Sequence, residues 1–70
     1  MNKDIIQGNW KSLKGKIKET WGEFTSDEVE KMEGNYDQLV GAVQKKYGYS
    51  KDKAAAEVNR FADSFRSKPH

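Results

Sequence analysis

The chain has no cysteine, one proline and one histidine in 70 residues, and no apolar run approaching the length of a membrane span. Without cysteine there is no disulfide framework and no thiolate nucleophile. The one imidazole, His70, stands at the last position, so one chain assembles neither a Cys/His pair nor an imidazole-based triad, and a His/Cys metal site is excluded. The acids between positions 27 and 37 lack the EF-hand spacing with its glycine, and no phosphate-cradling G-x-x-x-x-G-K-[ST] string occurs. Large apolar side chains are scarce as well. Two Leu, three Ile, four Val and three Phe make 12 of the 70 residues, under the level of about 20% at which disorder competes with folding. The opening MNKDIIQGNWKS has no apolar h-region of a secretory signal, which makes the cytoplasm the expected compartment. These absences predict a single domain over residues 1–70, with its core at about 5–66, that is not an enzyme and carries no cofactor and no metal.

What is abundant is charge and glycine. Charged residues make up 34% of the chain, six residues are glycine, and the mean hydropathy is −1.06. That composition resembles the hydrophilins. The net charge of +2 is too small for self-repulsion to hold the chain open.

An internal repeat organises the scarce apolar residues. Residues 8–22, GNWKSLKGKIKETWG, align without a gap at an offset of 26 with residues 34–48, GNYDQLVGAVQKKYG. Gly8, Asn9, Leu13, Gly15 and Gly22 recur as Gly34, Asn35, Leu39, Gly41 and Gly48, while Trp10, Ile17 and Trp21 recur as Tyr36, Val43 and Tyr47. Two copies of such a unit point to a pseudo-symmetric pair, not a solenoid. Ile6, Trp10, Leu13, Ile17, Trp21 and Phe24 follow helical spacing and form one stripe. Met32, Tyr36, Leu39, Val43 and Tyr47 form a second, joined by Val29 and Val40, and Ala54, Ala55, Val58, Phe61, Ala62 and Phe65 a third. All three are expected to face the core, with Tyr49 off the pattern in a turn. The predicted fold is all-α, with about four helices in two packed helical hairpins related by the repeat.

The ends of these segments carry their own signals. Thr25 and Glu28 have capping-box spacing, Ser50 is placed to cap the last helix, and Gly48 and Gly22 are expected to end helices in the left-handed conformation. A short helix of about two turns is expected after Thr25, followed by a break at Gly34-Asn35. The tail SKPH, Ser67 through His70, is expected to fray. Gly15 and Gly41 sit inside helices at matching positions, each costing about 1 kcal/mol relative to Ala. Three explanations are open: close approach by another helix of the domain, which is the foremost, approach by a partner, or deliberate weakening of the fold.

Charge is segmented. Residues 1–22 hold five lysines against two acids, residues 23–37 one lysine against six acids, and residues 38–70 seven basic residues against three acids. Lys11, Lys14 and Lys18 share one side of a helix beside Gly15, and Lys45, Lys46, Lys51 and Lys53 cluster about the Gly48 turn. Lysine beside bare backbone suits phosphate, so these eight residues are the candidate nucleic-acid or protein-partner surface. The competing expectation is a solvated face, or lysines paired internally with Asp27, Glu28, Glu30 and Glu33.

The runs GNWKSLKGKIKETWGEFTSDE and EGNYDQLVGAVQKKYGYSKDKAAAEV resemble the CsbD-like family of small bacterial stress-response proteins over roughly residues 5–58. The resemblance implies a compact helical fold similar to SAM domains, induction under general stress, a cytoplasmic location and no assigned activity. Some relatives outside bacteria are described as recognising mismatched or cruciform DNA, but no ligand residue carries over, and Ala42 and Val43 dilute the basic character that relatives often show there. The expected function is a non-enzymatic general stress-response protein. Weak, structure-selective DNA binding and a helical protein–protein module are the alternatives.

Overall fold

A computed structural model describes residues 2–66, which form five helices: α1 (Asn2–Gly8), α2 (Trp10–Thr20), α3 (Ser26–Met32), α4 (Tyr36–Tyr47) and α5 (Lys51–Arg66). No strand occurs among them. The expected fraying from Ser67 through His70 lies outside the described residues. The helix count exceeds the four expected because the first apolar stripe is carried by two helices. At Asn9 the backbone leaves the helical region (φ −118°, ψ 21°), and its side-chain amide donates to the Ile5 carbonyl (3.1 Å). Asparagine competes with the helical ladder in this way, and the preceding Gly8 has no side chain to resist the kink.

The second copy of the repeat uses the same pair differently. Glu33 (φ 52°) and Gly34 (φ 79°) both adopt the left-handed conformation, and the Asn35 side chain then caps α4 by accepting from the Gln38 N–H (3.0 Å). The two-turn helix after Thr25 and the break at Gly34-Asn35 are therefore present as the sequence predicts. So are the Thr25/Glu28 capping box, the Ser50 cap on the Lys53 N–H (3.1 Å) and left-handed Gly48 (φ 69°). Gly22 departs from expectation. Trp21 (φ −121°, ψ 85°) ends α2, and a turn closed by the Phe24 N–H on the Trp21 carbonyl (3.1 Å) carries the chain onward, so no left-handed residue is required.

The three stripes build one core. Ile6, Leu13, Ile17, Leu39, Val43, Ala54, Val58 and Ala62 have no exposed surface, and Trp21, Phe24, Val29, Met32 and Val40 are nearly as buried. Trp10, Tyr36, Tyr47, Phe61 and Phe65 are half-buried against this cluster. Tyr49 joins its edge: its ring stacks on Tyr47 (5.6 Å) and carries the Lys53 ammonium 4.5 Å above it. α4 packs on α5 and α2 on α3, while α1 touches α2, α4 and α5. One polar tie crosses this arrangement, where the Asn59 side-chain oxygen accepts from both the Tyr36 hydroxyl (2.7 Å) and the Asn2 amide (2.9 Å). The radius of gyration, 11.1 Å, matches the roughly 11 Å expected of a compact chain of this length.

Gly15 and Gly41 are both exposed, and a Cβ built on either meets nothing within 4 Å. Helix–helix contact within the domain, the foremost explanation offered by the sequence, is thereby overturned. Gly15→Ala and Gly41→Ala are each expected to stabilise the fold by up to about 1 kcal/mol, because the substitution restricts the unfolded chain and clashes with nothing. Thermal melts of the two variants check this, and a lowered midpoint in either contradicts it.

Candidate functional site

α3 is short and acidic, and its position decides what the lysines can do. Its N-terminus is held by the capping box: the Thr25 Oγ1 accepts from the Glu28 N–H (3.2 Å), and the Glu28 Oε1 accepts from the Thr25 N–H (2.9 Å). Glu28 then uses its other oxygen, Oε2, to pair with Lys46 of α4 at 2.8 Å. On α2, Lys14 pairs with Glu30 at 2.8 Å, and Lys18 donates to the Ser26 hydroxyl at 2.8 Å. α3 is thus tied to α2 through Ser26 and Glu30, and to α4 through Glu28.

The eight residues singled out in the sequence therefore divide. Lys14 and Lys46 are neutralised by α3, and Lys53 lies over the Tyr49 ring. Lys11, Lys18, Lys45 and Lys51 are exposed and form no ion pair among the described residues, and Gly15 between Lys11 and Lys18 is open to solvent. Internal pairing with the acidic segment accounts for two of the seven lysines, one on α2 and one on α4. Exposed pairs of this kind contribute about 0–1 kcal/mol, so their main effect is on the surface potential and on the placement of α3.

The Lys46 ammonium first, and then the Thr25 N–H, hold the Glu28 carboxyl below its ordinary value of 4.5. A depressed folded-state value means stabilisation that is present above the unfolded value and lost as pH falls through the folded one. Glu28→Gln keeps an acceptor for the Thr25 N–H but loses the ion pair. Wild type is expected to resist urea better than this variant at neutral pH, with the difference shrinking as pH drops below 4.5. A difference that stays constant into the acid range contradicts the assignment.

A feature the sequence reading missed lies between α3 and α4. Phe24, Met32 and Ala42 floor an open groove of about 440 Å³, with Lys31, Lys45 and Lys46 along its rim. Lys31 carried a faint signal, as the one lysine of the acidic stretch, but nothing in the spacing sets it beside Lys45. Among the described residues there is no group of three or more His, Cys, Asp or Glu side chains arranged to hold a metal, no buried polar or charged residue, and no helix long and apolar enough to cross a membrane.

These features define a small all-helical protein whose interior is apolar and whose polar chemistry is confined to its surface. The CsbD-like family model matches residues 4–56, and the chain belongs to that family. It is 57% identical over 58 residues to the UPF0337 protein YjbJ of Escherichia coli strain K12, covering 83% of this chain and 84% of that protein. A UPF0337 protein of Pectobacterium atrosepticum is 52% identical over 63 residues (90% of this chain, 91% of that protein), and one of Pseudomonas aeruginosa 49% over 63 residues (90% and 97%). No solved structure matches the chain significantly.

Proposed function

We propose that this protein is a non-enzymatic stress-response protein of the cytoplasm that acts through its solvated, densely charged surface. The observation that carries this reading is the complete separation of polarity: every buried side chain among the described residues is apolar, while charge makes up 34% of the chain. Catalytic acids, bases and nucleophiles depend on burial and neighbouring charge to reach useful reactivity, and Glu28, whose carboxyl Lys46 and the Thr25 N–H hold below its ordinary value, is committed to a helix cap and an ion pair. The mean hydropathy of −1.06 and the six glycines suit a protein that stays dissolved at high concentration. The test has two arms. The purified protein is expected to preserve a drying-labile enzyme better than an equal mass of an ordinary globular protein, and deletion is expected to lower survival after osmotic or oxidative stress. Failure of both arms overturns the reading.

A second reading, weak structure-selective binding of DNA, is supported by Lys11 and Lys18, which flank the open Gly15 without a carboxylate partner among the described residues. Lys45, Lys46, Lys51 and Lys53 would supply its second patch. Titration of four-way-junction and duplex DNA at two salt concentrations is expected to show junction preference and a salt slope that Lys11→Glu with Lys18→Glu reduces. Salt-independent binding contradicts it. A helical protein–protein module, the remaining alternative, would use the bare surface at Gly15 and Gly41, and a partner lost on pulldown with both alanine variants would mark that surface as its contact.

A further inference from the structure

We infer that the groove between α3 and α4 is a binding site for a single-chain amphiphile with an anionic headgroup, of the chemical class of a long-chain carboxylate. Its volume of about 440 Å³ falls in the range of about 300–1,000 Å³ typical of ligand clefts. Two other hollows fit worse. The one beside Gly34 is about 240 Å³ and is lined by Glu33 and Asp37 with a single lysine, and the one beside Phe61 and Phe65 is about 100 Å³.

The α3–α4 groove combines two properties that a carboxylate with an alkyl chain requires together. Its floor is apolar, made by the small parts of the nearly buried Phe24 and Met32 that surface there and by half-buried Ala42, and Met32 is a residue type that adapts to flexible chains. The aliphatic stems of Lys31, Lys45 and Lys46 extend that lining, because lysine covers apolar surface with its methylenes while its ammonium stays in water. The rim is positive: three lysines face one acid, Glu28, and that acid is held by Lys46 at 2.8 Å. Lys31 and Lys45 make no ion pair among the described residues, so their charge is available to a headgroup. The capping box holds one wall by fixing the start of α3, and the apolar face of α4 fixes the other by packing into the core. A cationic or neutral chain would find the same floor but no electrostatic partner. The groove does not include Gly15 or Lys11, but it shares Lys45 and Lys46 with the second patch of the DNA-binding reading, and it does not depend on that reading.

The experiment titrates the full chain with monomeric laurate, below micelle formation, and follows backbone amide shifts by NMR. Saturable one-to-one binding is expected, with the largest shifts at Phe24, Met32 and Ala42. Octanoate is expected to bind at least about tenfold more weakly, since four fewer methylenes are buried, and dodecylammonium to produce no saturable shifts at these residues. Ala42→Trp, which fills the groove, is expected to abolish binding, and Lys31→Glu with Lys45→Glu to weaken it about tenfold or more. The lysine variants alter exposed, unpaired positions and keep the test decisive if the tryptophan variant does not fold. Absence of saturable laurate binding, equal binding of dodecylammonium, shifts centred elsewhere on the domain, or undiminished binding by the double lysine variant overturns the inference.

Discussion

Ile17→Ala is expected to leave much of the population unfolded in water at 25 °C. Ile17 has no exposed surface, and it lies in the last full turn of α2, where the helix meets α3 and the aromatic pair Trp21 and Phe24. Replacing a buried isoleucine by alanine costs about 2–5 kcal/mol, the transfer free energy of the lost carbons plus that of the space left behind. A domain of this size has about 3–5 kcal/mol in all, so the loss approaches the total. Cysteine is absent, so no disulfide holds the chain together once packing fails. Far-UV circular dichroism and urea titration measure the effect, with the exposed Lys16→Ala as a control expected to stay within about 0.5 kcal/mol of wild type. Val43, the repeat equivalent of Ile17, is equally buried, and Val43→Ala removes a smaller side chain and is expected to cost less. An Ile17→Ala protein with a wild-type urea midpoint would mean that α2 does not seal the core.

Gly34→Ala is expected to destabilise by about 2 kcal/mol, while Gly8→Ala, at the matching position of the repeat, is expected to be neutral or stabilising. Gly34 has φ 79° and is buried; a Cβ there would sit 3.3 Å from the Gln7 Cα and 3.4 Å from the Trp10 Cβ. Two costs therefore combine. A non-glycine residue in the left-handed region costs about 1–2 kcal/mol, and the nearest obstacle is backbone, which cannot swing aside as a side-chain tip can. Relief requires the α1–α2 junction to move away from the α3–α4 junction. At Gly8 the same Cβ meets nothing within 4 Å. Urea denaturation of the two variants side by side is the measurement, and equal effects would mean that the junctions are not packed together as described. This pair of substitutions also tests the repeat itself: the copies are alike in sequence, yet the contact between them uses one glycine and leaves its twin exposed.

That contrast explains which parts of the molecule were legible. The three apolar stripes, the capping box at Thr25 and Glu28, the Ser50 cap and the left-handed turn at Gly48 are all encoded within a few residues of where they act. Helical periodicity and capping are short-range effects, so the all-α class and the composition of the core follow from the chain read locally. The break at Asn9 was harder to see, because the apolar spacing runs through it unchanged; the distortion lies in the backbone and in one side-chain hydrogen bond to Ile5. Gly22 was misleading for the opposite reason. It matches Gly48 in the repeat, but the Trp21 turn ends α2 without a left-handed residue.

The surface was the least legible part. Lys14, Lys18 and Lys46 form runs with Lys11 and Lys45 in sequence, yet three of these five reach across to α3 and two do not. Their partners lie 8 to 18 residues away, beyond anything helical spacing reports. The same is true of the groove, whose floor and rim come from α4, α3 and the turn before α3. By itself the sequence determined that this chain folds as helices around a small, wholly apolar core, since all of the twelve scarce Leu, Ile, Val and Phe residues except Ile5 fall on a helical stripe. The tertiary structure alone decided which lysines are neutralised, which glycine is pressed against a neighbour and where an apolar hollow opens under a positive rim, because each of these depends on the distance between helices and not on the order of residues along one.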